Sequence, residues 1–258
     1  MGAGDEIIAS GLARGAAARG KRIAFGDGRR IMWGPFAPLI LKGNPNVAPP
    51  GSEGAGDLEW IAHYKGHRLY NHLGADRWVW QMDFRPVPGE IFFDAREKAL
   101  SASIKPGFVL IEPNVPVHKS VAVNKQWPVD RFQSVADGLL ADGHRVVQLA
   151  YKGARYALQN VERIATASFR DGLVVLSRAS LYIGHEGGMH HGAAAVDVPG
   201  VVLFGGFIPP EVTGYKMHVN LAAGGPACGS LKRCEHCINA MDAITVEDVT
   251  NAARSVDG

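Results

Sequence analysis

The sequence predicts an α/β protein whose C-terminal half is a parallel sheet covered by helices on both faces. Three observations lead there. From Phe108 onward, apolar runs of strand length alternate with segments of helical periodicity. The runs, such as FVLI and VVLF, are apolar at every position rather than every second one, as strands buried on both faces require. Glycine-rich turns follow two of them, in GHEGG and LFGG, where such a sheet presents its binding edge.

Taken in order, Asp5 to Arg19 is Ala-rich and predicts a first helix. KRIAFGD is a short apolar run closed by Gly and Asp, a strand. Residues 43–56, with NPNVAPPGSEGAG, are punctuated by Pro and Gly and predict a long loop. Residues 57–80 mix aromatics and histidines and show no clear period. PGEIFFDAREKALSASIKPG predicts a strand and a short helix ending at Gly107. A domain boundary falls there, dividing residues 1–105 from residues 106–258. FVLIEPN is the next strand, and Pro128 to Asp142 has helical spacing in Phe132, Val135, Leu139 and Leu140. HRVVQLAY predicts a strand, Leu158 to Ala167 a helix, and GLVVLSRASLYIGHEGG strand material ending in a turn. MHHGAAAVDV predicts a helix of small residues, PGVVLFGG a strand, and Ile244 to Val256 a terminal helix.

Bulk composition narrows the function classes. The 258 residues are 47% hydrophobic and 20% charged, an ordinary balance for a globular chain of two modest domains. A net charge of +2 does not mark a nucleic-acid binder. Up to Lys105 there are 14 Lys and Arg against 11 Asp and Glu, and that part also holds Trp33, Trp60, Trp78 and Trp80. This is a solvated basic face over an aromatic core, or an acceptor site for something flat or anionic. No apolar run is long enough to span a membrane, and MGAGDEIIASGLARG has no secretory pattern, so the expectation is a cytoplasmic protein.

Of the four loops at the carboxyl ends of the C-terminal strands, GHEGGMHHG carries the strongest chemistry. Gly187 and Gly188 precede a helix, whose bare N–H groups and positive dipole end suit a phosphate. Glu186, Met189, His190 and His191 complete this donor-binding candidate, the histidines as sources of protons or positive charge. Lys119 and Lys125 come from the first loop, and a lysine at a strand end can neutralise a departing phosphate. Asp27, in GDG, reads best as a turn residue and second as a base.

These residues carry a resemblance. K-Q-W-P followed by V-D-R-F-Q-S-V-A-D-G-L-L and G-H-R-V-V-Q-L resembles the start of the second domain of family 9 glycosyltransferases, the ADP-heptose heptosyltransferase family. I-G-H-E-G-G-M-H-H-G-A-A-A resembles that family's Asp-Thr-Gly-Leu-Ser-His-Leu-Ala-Ala-Ala signature, with Glu186 in place of its Asp and Gly187 in place of its Thr. G-D-E-I-I-A-S-G-L-A-R resembles its early Gly-Asp-Val-Leu motif. The family's Glu after the second strand has no match in YKGARYAL, and the strand that precedes its Gly-Asp is missing. The resemblance implies a GT-B fold of two Rossmann-like domains facing across a cleft, the N-terminal one trimmed. Residues 1–105 would bind acceptor and residues 106–258 the donor. It implies an inverting, metal-independent transfer from a nucleoside-diphosphate sugar, with Asp5 as the base. The departing diphosphate would be held by Lys125, the backbone of Gly187, Gly188 and Met189, and His191.

Cys228, Cys234 and Cys237 form C-x5-C-x2-C, a spacing suited to a structural zinc or iron site and equally to reduced buried thiols. His218 and His236 are the candidates for a fourth ligand. The acceptor is a surface saccharide, a hydroxymethylated pyrimidine in DNA, or a protein. A competing reading is a nucleotide-sugar binding module without catalysis. A nucleotide-sugar epimerase, which shares the GT-B architecture, ranks below both.

Overall fold

The computed structural model describes residues 1–115 and 120–257, with the backbone alone at 120–122 and 257. Lys119 lies outside the described residues. The elements in chain order are α1 (Ala3–Ala17), β1 (Arg22–Phe25), α2 (Ala37–Ile40), β2 (Leu58–Ile61), β3 (Asn71–Leu73), β4 (Trp78–Trp80) and α3 (Ala95–Ser103). Then follow β5 (Phe108–Glu112), a 3-10 turn (Ser120–Lys125), α4 (Val129–Ala141), β6 (Val146–Ala150), β7 (Glu162–Ala165), α5 (Phe169–Leu176) and β8 (Ala179–His185). The chain closes with α6 (Gly188–Ala195), β9 (Gly200–Leu203), α7 (Pro210–Thr213), β10 (His218–Leu221), α8 (Glu235–Ala243) and α9 (Val246–Asp257).

Among the described residues, six strands form one parallel sheet in the order β10-β9-β8-β5-β6-β7. The chain winds outward from β5 to β7 and returns on the other side of β5 as β8. That reversal is a topological switch point, where the carboxyl ends of neighbouring strands part and leave a crevice. Every residue of β5 and of β9 is buried, which explains their unbroken apolar runs. This is the α/β class that the sequence predicts, with the N-terminal part trimmed. The N-terminal part is slight: β1 and β2 pair in parallel as a two-stranded sheet, and β3 and β4 make a small antiparallel hairpin. Residues 1–105 share one apolar core with the large sheet, since Ile7, Ile23 and Phe25 belong to the same cluster as Leu110, Tyr182 and Phe204.

Two assignments are reversed. Leu158 to Ala167, expected as a helix, contains the edge strand β7, in which Ile164 pairs with Leu149. The stretch GLVVL, expected as a strand, lies in α5. Ser168 caps that helix by accepting the Asp171 N–H at 3.0 Å, and every α5 residue from Arg170 to Leu176 is buried. A short helix buried all round has no polar face, so periodicity cannot separate it from a buried strand. β10 and α8 come from segments that gave no sequence pattern.

One buried cation fastens the N-terminal part to the sheet. Arg170, on α5, is 2% exposed and Glu97, on α3, is 4% exposed. The guanidinium donates to both Glu97 oxygens, at 2.5 and 3.0 Å, and to the carbonyls of Leu39, Ile40 and Phe92. Burial would raise the Glu97 carboxyl, but the Arg170 hydrogen bonds hold it below the ordinary carboxylate value. Replacing Arg170 by Met leaves Glu97 buried and unpaired, a loss of about 3–5 kcal/mol in urea unfolding. The double variant Arg170→Met/Glu97→Leu is expected to recover most of that loss, because no charge is then stranded.

Candidate functional site

The site lies at the switch point, where α1 and α6 begin side by side. Both starts are glycine for a steric reason. A Cβ on Gly4 would sit 2.9 Å from the His191 ring and 3.2 Å from Gly188 Cα, and one on Gly188 would press the Phe169 ring at 3.1 Å. The neighbouring Gly187 differs, since a Cβ there would meet nothing within 4 Å. Open space therefore faces the turn, in front of the first-turn N–H groups of α6 that no helical carbonyl can satisfy.

Next to the turn, at Glu186, polar and charged groups gather. Lys125 is set by its neighbours: Trp127, fully buried, donates its backbone N–H to His185 Nε2 at 2.9 Å and its indole N–H to the Ile244 carbonyl at 2.9 Å. Lys125 Nζ bonds to Glu186 Oε2 and lies 4.9 Å over the Phe207 ring. Glu186 Oε1 is 3.3 Å from His191 Nε2, and His191 Nδ1 is 3.1 Å from the Tyr215 hydroxyl. Burial would raise the Glu186 carboxyl, yet the Lys125 charge and the His191 hydrogen bond hold it far below the ordinary carboxylate range. It stays ionised and completes a chain Lys125–Glu186–His191–Tyr215.

Asp5 sits across from this chain on α1, 7% exposed. Oδ1 accepts from the Tyr70 hydroxyl, while Oδ2 accepts the Gly2 N–H at 2.5 Å and lies 3.5 Å from Arg68. Burial, and then the Asp5 charge, keep the Tyr70 phenol protonated. Arg68 stacks over Trp78 at 4.5 Å, and Trp80 lies parallel to Tyr70 with centroids 6.5 Å apart. A cavity of about 380 Å³ opens beside Arg68, lined also by Ile61, Asn71, His72 and Gln81.

Several sequence-chosen residues take other places. His190 is fully buried among His191, Phe204, Tyr215 and His218. Burial, with the nearby histidines, pushes its ring well below the ordinary histidine value, so it supplies no positive charge. The Met189 side chain packs towards Gly172, leaving its backbone to face the turn. Asp27 is the turn residue expected, accepting the Arg29 and Arg30 N–H groups. The sulfurs of Cys228, Cys234 and Cys237 gather within 4.8 Å of one another. His218 is not with them, because its Nε2 faces the Val198 carbonyl in the His190 cluster. His236 faces the Pro226 carbonyl at 3.0 Å.

Sequence reasoning missed Arg68, Tyr70, His185 and Tyr215. The first two lie in the patternless 57–80 stretch and gave no signal; Tyr215 closes a strand-end loop and was visible by position. It also missed Glu112, 4% exposed at the carboxyl end of β5. Burial pushes its carboxyl up to about 7, against hydrogen bonds from Asn114 that favour the ionised form.

The sequence profile of glycosyltransferase family 9 (heptosyltransferase) matches residues 95–233. Among solved structures, a family 9 glycosyltransferase from Veillonella parvula is 18% identical, with TM-score 0.51, over 65% of this chain and 53% of its own. The iron-containing dodecameric glycosyltransferase TibC from enterotoxigenic E. coli is 18% identical, with TM-score 0.50, over 67% of this chain and 49% of its own. TibC in complex with ADP-D-β-D-heptose is 19% identical, with TM-score 0.51, over 67% and 50%. At these identities the likeness is one of fold, and the chain spans about half the length of the structures it matches. No curated protein matches it.

Glu112 gives the site a pH signature. Its folded-state value lies above the ordinary 4.5, so the native state holds that proton more tightly than the unfolded chain. The stability this provides is complete below about pH 4.5 and is lost as the pH rises through about 7. Glu112→Gln keeps an acceptor for Asn114 and cannot ionise. Its stability relative to wild type is expected to improve by about 2–3 kcal/mol between pH 4.5 and pH 8. Urea unfolding at both pH values checks this, and equal differences would mean that Glu112 does not titrate in place.

Proposed function

The chain belongs to glycosyltransferase family 9, and from that premise we propose that it transfers a sugar from a nucleoside-diphosphate sugar to an acceptor hydroxyl. The transfer inverts the anomeric centre and needs no catalytic metal. The observation that carries the reading is the open space at Gly187, before the start of α6 and next to Glu186, which holds Lys125 and His191. It is the arrangement a diphosphate requires: bare N–H donors, a helix dipole and a fixed ammonium.

In this reading residues 106–258 hold the donor and residues 1–105 the acceptor. The donor diphosphate takes the Lys125 ammonium from Glu186 and rests on the Gly187, Gly188 and Met189 backbone. Glu186 keeps its contact with His191, and His190 packs behind the helix. Asp5 removes the proton from the acceptor hydroxyl. That oxygen bonds to the anomeric carbon from the face opposite the diphosphate, whose bond to the carbon breaks. The charge arriving on the leaving oxygen is met by Lys125 and the α6 N–H groups.

A surface saccharide is the preferred acceptor, entering by the cavity beside Arg68. A hydroxymethylated pyrimidine in DNA is the alternative. Against it, Trp33, Trp60, Trp78 and Trp80 are all partly buried, and none stands free to stack on a base. The non-catalytic binding module keeps one observation in its favour: both Asp5 oxygens are already engaged, Oδ1 by Tyr70 and Oδ2 by the Gly2 N–H with Arg68 beside it, so an acceptor hydroxyl must share or displace one of these partners.

The three thiols suit a structural zinc or iron. Cys228 Sγ lies 2.9 Å from Cys237 Sγ and 3.8 Å from Cys234 Sγ, and hydrogen bonding, the Cys237 N–H foremost, lowers the Cys234 thiol. Such an ion would brace the loop, with no part in the transfer. Among the described residues no helix is long and apolar enough to cross a membrane; the proposal places the enzyme in the cytoplasm.

A panel of nucleotide sugars, offered with a deacylated lipopolysaccharide core and with hydroxymethylated DNA, tests the reading by intact mass of product. Lys125→Ala is expected to lower turnover roughly 10²–10³-fold. Asp5→Asn is expected to lower it roughly 10²–10⁴-fold. Full turnover in Asp5→Asn would remove the base assignment. Tight nucleotide binding without transfer or donor hydrolysis would make the chain a binding module.

A further inference from the structure

Two separate connections run from the cysteine loop to Lys125. The first passes through Asn124, which is fully buried. Its side-chain amide donates to the Lys232 carbonyl at 2.7 Å and the Ser230 carbonyl at 3.4 Å, and its oxygen accepts the Cys234 N–H at 2.9 Å. Asn124 is thereby bound into the loop between Cys228 and Cys237, and Lys125 follows it directly in the chain. The second passes through Phe207. The Cys228 N–H donates to the Gly206 carbonyl at 2.9 Å and the Gly229 N–H to the Phe207 carbonyl at 3.1 Å. Phe207 is 3% exposed, and the Lys125 ammonium lies over its ring at 4.9 Å.

Lysine is a long, flexible cation that is pre-organised only if its stem and head are both restrained. Here the loop is tied to both, through Asn124 beside the stem and Phe207 beside the head, in addition to the Glu186 contact. Asn124 fixes the start of the side chain, and the Phe207 ring shares with Glu186 the placing of the ammonium. We propose that the Cys228–Cys237 loop is the positioning element for Lys125, with Asn124 and Phe207 as positioning residues for diphosphate binding. Neither touches the diphosphate; both act by holding the ammonium where the diphosphate needs it. The inference rests on the donor-site reading of Lys125.

The test is a double-mutant cycle on the full chain, with binding of ADP, GDP, UDP and CDP measured by calorimetry and melting followed in parallel. Lys125→Ala is expected to weaken the best-bound nucleotide about 10–100-fold. Asn124→Ala is expected to weaken it about tenfold when Lys125 is present, and by less than about twofold in the Lys125→Ala background. Phe207→Leu is expected to behave in the same way, about three- to tenfold and only with Lys125 present. If Asn124→Ala fails to fold, the Phe207 cycle decides alone. Losses that multiply independently of Lys125, or no loss at all, overturn the inference while the donor site stands. An unchanged affinity in Lys125→Ala, or no binding by any of the four nucleotides to the wild type, overturns both.

Discussion

A guanidinium cannot be taken out of water unless its N–H groups are satisfied elsewhere, and Arg170 meets that demand by drawing the chain together around it. Its partners come from α2, from the segment before α3 and from α3 itself, while Arg170 belongs to α5 under the large sheet. The preceding residue, Phe169, presses against Gly188 at the start of α6. The same helix thus anchors the N-terminal part and forms one wall of the functional turn. Because the two parts share one core, α1 can deliver Asp5 to the strand ends without a complete sheet of its own.

The site is built from opposed charges that neutralise one another before any ligand arrives. Lys125 faces Glu186 and Arg68 faces Asp5, with His191 as a hydrogen-bond partner of Glu186. Burial makes each ionised carboxylate depend on its cation. An incoming anion is therefore not meeting an empty positive pocket. It competes with Glu186 for a lysine whose place is already fixed, so its affinity is a difference between two pairings. Tyr215 and Tyr70 close the two chains with hydroxyls that burial keeps protonated.

The parts of this arrangement that were legible in the sequence are those governed by local rules. Apolar strands announced the sheet, and the glycine pair announced the turn at α6. Lys125 was marked by its place in a loop at the carboxyl end of a strand and by the K-Q-W-P run that follows the family pattern. What stayed hidden depends on distant pairing. Arg68 and Tyr70 gain meaning only where α1 meets the β3–β4 hairpin, and Asn124 only where the cysteine loop folds back on it. His190 misled for the opposite reason: a histidine beside a glycine turn suggests exposure, but its ring turns into a cluster of other rings. The α5 segment read as a strand because full burial erases the polar face on which a helical pattern depends, whereas β7 is an exposed edge strand with no apolar run to mark it.

The seating of α1 on α6 also bears on the protein's synthesis. Gly4 packs against Gly188, and Ile7 and Ile8 lie in the apolar core shared with the large sheet. During synthesis α1 must wait for α6, which is made well after it. At ordinary rates of elongation this interval is roughly ten to forty seconds. Throughout it α1 has β1 and α2 to pack against but not α6, so the part of its face that α6 covers stays open to solvent and to chaperones.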